Sequence, residues 1–360
     1  PSETRGALTA LASGAKPEST GVLGNDFYAR SGSGRLAGTD TIHDWRYGEA
    51  HYAGGMVRTV NLSETLAKAG KSFAVVTSSG QGSFTALNWK GADFGQIGFN
   101  VRHPQIAFPH DLAIDITARH KVPSTGFERG AEAKAIDILV TSIWPAKRPA
   151  ASIIWLTEVD SASHLHGLGA EGQLDSLHQG DAAIGALLDW REHQAERETI
   201  AVFITSDHGP STSSRFINLH DAFKAAGIRA ATRFDDDIDI IFRRGRAPGL
   251  WLRRYDRGLL QAAFDALVAQ DWYGASFTRA IEPGSPLGTI EGTLALELTG
   301  AAHYRAPDLY LNLAGDNEPN EFGILGTSIC DVGNYKIDVG GGTHGGMHVS
   351  ELTAVLIADG

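Results

Sequence analysis

Short apolar runs bounded by turn signals recur along the chain. Five of them, at 72–76, 136–141, 152–157, 200–205 and 308–313, are rich in aliphatic and β-branched residues and apolar on both parities. A strand apolar on both faces is one covered on both faces, the habit of parallel sheets. Between these runs the period lengthens to that of a helix. The longest helical pattern covers 174–196, with Leu177, Ile184, Leu187 and Leu188 on one broad face and Arg191, Glu192 and Glu196 assigned to the outside. Further helices are expected at 62–69, 217–226 and 257–269, the first two closed by Gly70 and Gly227, and a shorter one at 7–13 ends at Gly14. Strands and helices alternate. The expected fold is therefore α/β, a doubly wound, mostly parallel central sheet with helices on both faces. Residues 1–360 read as a single domain, without repeats and with low complexity confined to 31–34 and 340–342. Both ends read as cut from a longer protein, since the chain stops on a strand-like run at 354–358.

Composition narrows the function classes. The 360 residues carry 42 acidic and 31 basic side chains, a formal charge of -11, which argues against long nucleic acid as a partner. No apolar run approaches the length of a membrane span. The single cysteine, Cys330, excludes a disulfide framework and a cysteine-rich zinc module. What asks for explanation is the abundance of glycine, 43 residues, and of histidine, 14.

In doubly wound sheets ligands gather at the carboxyl ends of strands, so the polar residues that follow each strand matter most. After 152–156 come Asp160 and His164, four apart and thus on one side of a helical turn. They are suited to zinc or manganese, and equally to an N-cap beside a surface histidine. After 201–204 come Asp207 and His208, followed by Gly209, which reads as a metal-binding edge or as a loop in which Asp207 caps the next helix. The third cluster is His344 between glycines 340–342 and 345–346, a ligand loop or a flexible one. Together they supply most of a two-metal site. Near the start, Thr4 precedes the 7–13 helix, where a hydroxyl meets free N–H groups or serves as an ordinary cap.

These pieces, in this order, resemble the alkaline phosphatase superfamily and its type I phosphodiesterase/nucleotide pyrophosphatase branch. The family's P-T-x-T…T-G…P-x-x-H-G-x-x-x-N segment is similar to Pro1-Ser2-Glu3-Thr4, Ser13-Gly14, Pro17, Thr20-Gly21 and Asn25. Its P-D-x-x-x-H-x-x-G resembles Val159-Asp160, His164 and Gly167, its S-D-H-G-M resembles Ser206 to Pro210, and its G-x-H-G resembles Gly342 to Gly345. The resemblance implies two divalent metal ions, zinc with manganese also compatible. Asp160, His164 and His344 would ligate one, and Asp207 and His208 the other. Thr4 matches the nucleophile that forms a phospho-threonine, and Asn25 the side chain that binds a phosphoryl oxygen. The family's second metal also takes an Asp from the first strand, which would lie upstream of Pro1. The implied activity is hydrolysis of phosphodiester or pyrophosphate bonds in a small phosphorylated substrate.

Departures from the family pattern keep alternatives open. Nucleotide-hydrolysing members carry an aromatic residue after the nucleophile, whereas here the run is Thr4-Arg5-Gly6-Ala7-Leu8. Arg5 is suited to a second anionic group on the substrate, or to solvent. The change raises the case for a phosphonate hydrolase resembling phosphonoacetate hydrolase. A non-catalytic, metal-binding member is the other alternative. His166 and His348 are assigned outer positions, and Arg243-Arg244-Gly245-Arg246 reads as a short basic patch.

Overall fold

Phe73–Thr77 is the middle strand of a three-stranded parallel sheet, between Ile97–Asn100 and Ala151–Trp155, in a computed structural model that describes residues 2–30, 35–123, 130–331 and 337–359. Pro1, the run 31–34 and Gly360 lie outside the described residues. All five residues of the middle strand are buried, and they divide by parity. Phe73 and Val75 join one core with Trp45, Phe84 and Leu87, while Ala74 and Val76 join another with Ile116, Ala135 and Ile138. Successive side chains point to opposite faces, so each face of this sheet has its own core. That is why the run is apolar throughout.

The strand expected at 136–141 is instead a helix. Ala131–Ile138 continues through a π-helical turn, Leu139–Ile143, into Trp144–Lys147. Ala135, Ile138, Leu139 and Ile143 cover the second face of the parallel sheet. An all-apolar stretch does not separate a buried strand from a buried helix; length does, and this element starts at Ala131. The long helix is Glu171–Glu192; Ile184, Leu187 and Leu188 are half-buried, and its most buried positions are small residues and an arginine. Ser176, Gly180, Ala183 and Arg191 are buried, whereas Leu177 is 47% exposed. Small residues let this helix approach Glu158–His166 closely: a Cβ on Gly180 would lie 3.7 Å from Val159 Cγ2. Arg191, assigned to the outside, is buried and pairs with Asp359 at 2.5 Å.

A second sheet runs in the order Leu294–Ala295, Tyr273–Thr278, Leu309–Leu313, Gly249–Leu252, Ile240–Phe242, Ala230–Ala231. It is antiparallel through its middle and parallel at both ends. Ile240, Phe242, Leu250 and Leu252 pack with Phe223 and Phe264 of the helices Leu219–Ala225 and Arg257–Val268, and Ile241 and Trp251 face the first core. The fold is α/β as expected, with its parallel pairing concentrated around Phe73–Thr77 and a mixed second sheet beside it. Two smaller pieces position the site. Val202–Thr205 pairs with Leu356–Asp359, and Ser211–Ile217 lies between Leu325–Asp331 and Gly342–Thr343. Among the described residues, no helix is long and apolar enough to cross a membrane.

This packing predicts unequal costs for two truncations. Phe73→Ala should lower the unfolding free energy by about 3–5 kcal/mol, and Leu177→Ala by less than about 1 kcal/mol. Urea titration checks both, and an equal loss at Leu177 would show that this side chain is packed after all.

Candidate active site

Thr4 opens the helix Thr4–Ser13 but does not cap it: the cap position is Glu3, in extended conformation. The Thr4 hydroxyl is thereby free to face His208, with Oγ1 3.4 Å from Nε2. Asp160 and His164 sit on Glu158–His166, directly after the strand Ala151–Trp155, and the cap there is Thr157 rather than Asp160. Asp207 and His208 follow Val202–Thr205 and lead into the strand Ser211–Ile217, so Asp207 caps no helix. Gly209 is required by close approach, because a Cβ there would lie 2.0 Å from the Ser350 carbonyl oxygen. His344 follows the short strand Gly342–Thr343, whose antiparallel pairing sets Thr343 opposite Ser211 and so brings His344 to the loop that carries Asp207 and His208.

These elements bring Thr4, Asp160, His164, Asp207, His208 and His344 together. One ligand atom each from Asp160, His164 and His344 lies within 4.8 Å of the others. Asp160 Oδ1 is 3.4 Å from His164 Nε2 and 3.7 Å from His344 Nε2. The His208 and His344 rings stack at 3.7 Å between centroids, which joins the second pair of residues to the triad.

Backbone carbonyls fix the histidine tautomers. His164 Nδ1 is 2.6 Å from the Gly342 oxygen, His344 Nδ1 is 3.0 Å from that of Ser2, and His208 Nδ1 is 3.3 Å from that of Gly209. A carbonyl only accepts, so each Nδ1 carries the proton and each Nε2 presents a lone pair to the cluster. Burial lowers the His344 pKa, with the neighbouring His208 adding to it, and burial likewise lowers that of His208. Asp207 is pushed up to about 6, by burial first, with the Asp160 carboxylate raising it further and His344 opposing.

The arrangement fits a cation. Asp207 Oδ2 is buried without a hydrogen-bond partner among the described residues, 3.2 Å from the bare Nε2 of His208. Two lone pairs facing each other at that distance repel unless a proton or a metal ion lies between them. Imidazole nitrogen with carboxylate oxygen is a donor set that zinc accepts.

Asn25 stands beside this cluster. Its Oδ1 accepts from the Arg5 backbone N–H at 3.1 Å, and with His164 and His344 it lines a small cleft that also includes Glu3, Asp26 and Arg244. Arg5 reaches Asn25 through its backbone only, because its guanidinium pairs with Asp40 at 2.9 Å. His348 caps the helix Val349–Leu352. Sequence reading missed Ser2 and Glu3. Ser2 gives its carbonyl to His344, and its hydroxyl donates to Gly346 O and accepts from Gly345 N, each at 3.0 Å. The partners are more than 340 residues apart, and no local pattern signals them.

The family model described as type I phosphodiesterase / nucleotide pyrophosphatase matches residues 1–316. No curated protein sequence matches the chain. Among solved structures, the chain is similar to phosphonoacetate hydrolase from Sinorhizobium meliloti 1021 in complex with phosphonoformate, with a TM-score of 0.62 at 16% identity over 99% of this chain and 79% of that one. Murine ectonucleotide pyrophosphatase / phosphodiesterase 5 gives 0.54 at 15% identity, and its human counterpart 0.52 at 14%, each over 99% of this chain and 76% of the other. At such identities the likeness concerns the fold.

The raised Asp207 pKa has a stability consequence. Between 3.8, the unperturbed value, and about 6 the folded state binds more protons than the unfolded one, so stability falls as pH rises through that window. In metal-free protein at pH 7.5, Asp207→Asn should therefore stabilise by about 1–3 kcal/mol, with no gain near pH 3.5. The same variant should show a smaller, though not abolished, rise in Tm on zinc addition than the wild type, since the Asp160, His164 and His344 triad is left intact. Thermal unfolding with and without zinc measures both, and a metal-free variant less stable than wild type at pH 7.5 would contradict the account.

Proposed function

The chain belongs to the type I phosphodiesterase/nucleotide pyrophosphatase family of the alkaline phosphatase superfamily, and is a phosphoric ester hydrolase; on that premise we propose that it cleaves phosphodiester or pyrophosphate bonds through a phospho-threonine on Thr4, with two zinc ions. The observation that carries the reading is the Thr4 hydroxyl, 3.4 Å from His208 Nε2, at the junction of the two ligand groups. Asp160, His164 and His344 would hold one ion, and Asp207 and His208 would contribute to the other. When bound, such ions supply Lewis acidity toward the attacking and leaving oxygens of an in-line displacement.

The chain's own residues do the rest. Thr4 lies in the first turn of a ten-residue helix, where free N–H groups and the dipole favour a developing alkoxide. The Thr4 Oγ–phosphorus bond forms as the bond from phosphorus to the leaving oxygen breaks, and water then cleaves the phospho-threonine to return the hydroxyl. Asn25 is oriented for one task. Since its Oδ1 is taken by Arg5 N–H, its Nδ2 is the group left to donate to a phosphoryl oxygen in the cleft. Arg5 contacts a second anionic group only when its pair with exposed Asp40 opens, which costs little at a surface.

A second reading, a phosphonate hydrolase, is favoured by the absence of an aromatic side chain at positions 5–8 after Thr4. Bis(p-nitrophenyl) phosphate, p-nitrophenyl phosphate and phosphonoacetate, offered to the zinc-loaded chain, separate the two. In either case Thr4→Ala should lower kcat by at least about 10³-fold with zinc content unchanged. Near-normal turnover of that variant would remove Thr4 from the mechanism, and no turnover of any substrate by the wild type would favour a binding role.

A further inference from the structure

The Arg243-Arg244-Gly245-Arg246 stretch is not the solvated patch its composition predicts. Arg243 and Arg246 are buried, at 4% and 2% exposure, in the turn between Ile240–Phe242 and Gly249–Leu252. A buried guanidinium is tolerable only with a carboxylate and further acceptors around it. Arg243 has Glu3 as its partner, in a close ion pair, with the Ala247 carbonyl at 2.9 Å and Asp26 Oδ1 at 3.6 Å. Glu3 is itself buried, and it immediately precedes Thr4.

The second carboxylate oxygen of Glu3 reaches across the chain. Oε2 accepts from the backbone N–H of Asn25 at 2.7 Å. On the other side of Thr4, the Arg5 N–H donates to Asn25 Oδ1 at 3.1 Å. Asn25 is thus gripped by the two residues that flank Thr4, once through its backbone and once through its side chain. Gly24 leaves room for this grip, since a Cβ there would lie 2.3 Å from Glu3 Oε2 and 2.9 Å from Arg243 Nη1. Burial alone would raise the Glu3 pKa, but the Arg243 guanidinium, the Asn25 N–H and His344 together bring the carboxyl below its ordinary range.

We propose that Glu3 is a positioning residue for phosphoryl transfer: locked by Arg243, it sets where the Asn25 amide lies relative to the Thr4 hydroxyl. This rests on the reading of Thr4 and Asn25 given above. Both groups must act on one phosphorus, yet 20 residues, which include most of the helix Thr4–Ser13 and the turn of helix Pro17–Thr20, separate them along the chain. A misplacement of about 1 Å at a reacting centre costs on the order of 10²-fold in rate.

The test compares Glu3→Gln, Glu3→Ala and Arg243→Lys in the zinc-loaded full chain, with bis(p-nitrophenyl) phosphate as substrate and kcat counted per folded, zinc-replete molecule. Glu3→Gln keeps an acceptor for the Asn25 N–H and loses the charge, while Glu3→Ala loses both. Expected are falls in kcat of about 10-fold for Gln and about 100-fold for Ala, with KM within about three-fold and zinc stoichiometry unchanged. Arg243→Lys keeps the charge but not the forked geometry, and should fall near the Gln variant. Partial rescue by Gln is the readout that a merely structural role would not give. If all three variants keep kcat within two-fold of wild type while only Tm drops, the positioning role is overturned. Thr4→Ala separates the two levels: if it is active, the underlying reading fails; if it is inactive and the Glu3 variants turn over normally, the positioning role alone fails. Should Glu3→Ala not fold, the Gln and Lys variants decide.

Discussion

His164, His208 and His344 each turn Nδ1 toward a backbone carbonyl, and a carbonyl cannot donate. Everything else in the site follows from where those three protons are. With Nδ1 protonated, three Nε2 lone pairs face two carboxylates, and the arrangement is self-repelling until a positive charge enters. Rings stacked at 3.7 Å could not both be cationic, which agrees with the lowered pKa values of His208 and His344 that burial produces. The carbonyls belong to three separate segments, at Ser2, Gly209 and Gly342, so the donor set exists only when these segments are correctly docked on one another.

Docking is the work of buried charge. Arg246 pairs with Glu351 at 2.9 Å, and both are almost wholly buried. Glu351 also accepts from Ser211 Oγ at 2.6 Å, and its backbone carbonyl takes the Gly209 N–H at 3.0 Å. One residue therefore ties the helix Val349–Leu352 to the strand at Ser211 through its carboxylate and to the loop that carries Asp207 and His208 through its carbonyl. Arg243 does the same for the Thr4 segment through Glu3. A hydrophobic pair of equal volume would fill either space at no greater cost in stability. It would not hold a particular N–H in a particular direction. Two arginines three residues apart thus orient both ends of the chain around the same centre.

What the sequence revealed was whatever depends on local geometry. A strand that ends at Trp155 or Thr205 delivers the next few residues to the sheet edge, so Asp160, His164, Asp207 and His208 could be read from their distance to an apolar run. What it hid depends on partners far away in the chain. Arg243 and Arg246 look like solvated charge until Glu3 and Glu351 are beside them, and Ser2 contributes a carbonyl that no side-chain pattern records. The two misread helices share another cause. At 136–141 the run is mostly apolar because Ile136, Ile138 and Leu139 of this helix are buried, while Asp137 and Thr141 are exposed. In Glu171–Glu192, Leu174 and Leu177 lie outward, and the closest helix contact is made by Ser176, Gly180 and Ala183. Hydrophobicity marks burial only where the neighbouring surface leaves room for a large side chain.

On the proposed reading, these electrostatics also impose an order of events. The chain carries a formal charge of -11, and without cations the ligand cluster holds the carboxylates of Asp160 and Asp207 beside the imidazoles of His164, His208 and His344. A phosphate ester approaching that surface meets charge of its own sign. The arginines that line the cleft do not compensate, since Arg243, Arg244 and Arg246 are paired with Glu3, Asp331 and Glu351. Attraction of the ester therefore requires the cations to be in place first, after which the local sign is reversed while the remaining surface stays acidic. The same distribution disfavours long polyanions, which would feel the whole surface, and admits short ones, which feel mainly the cleft.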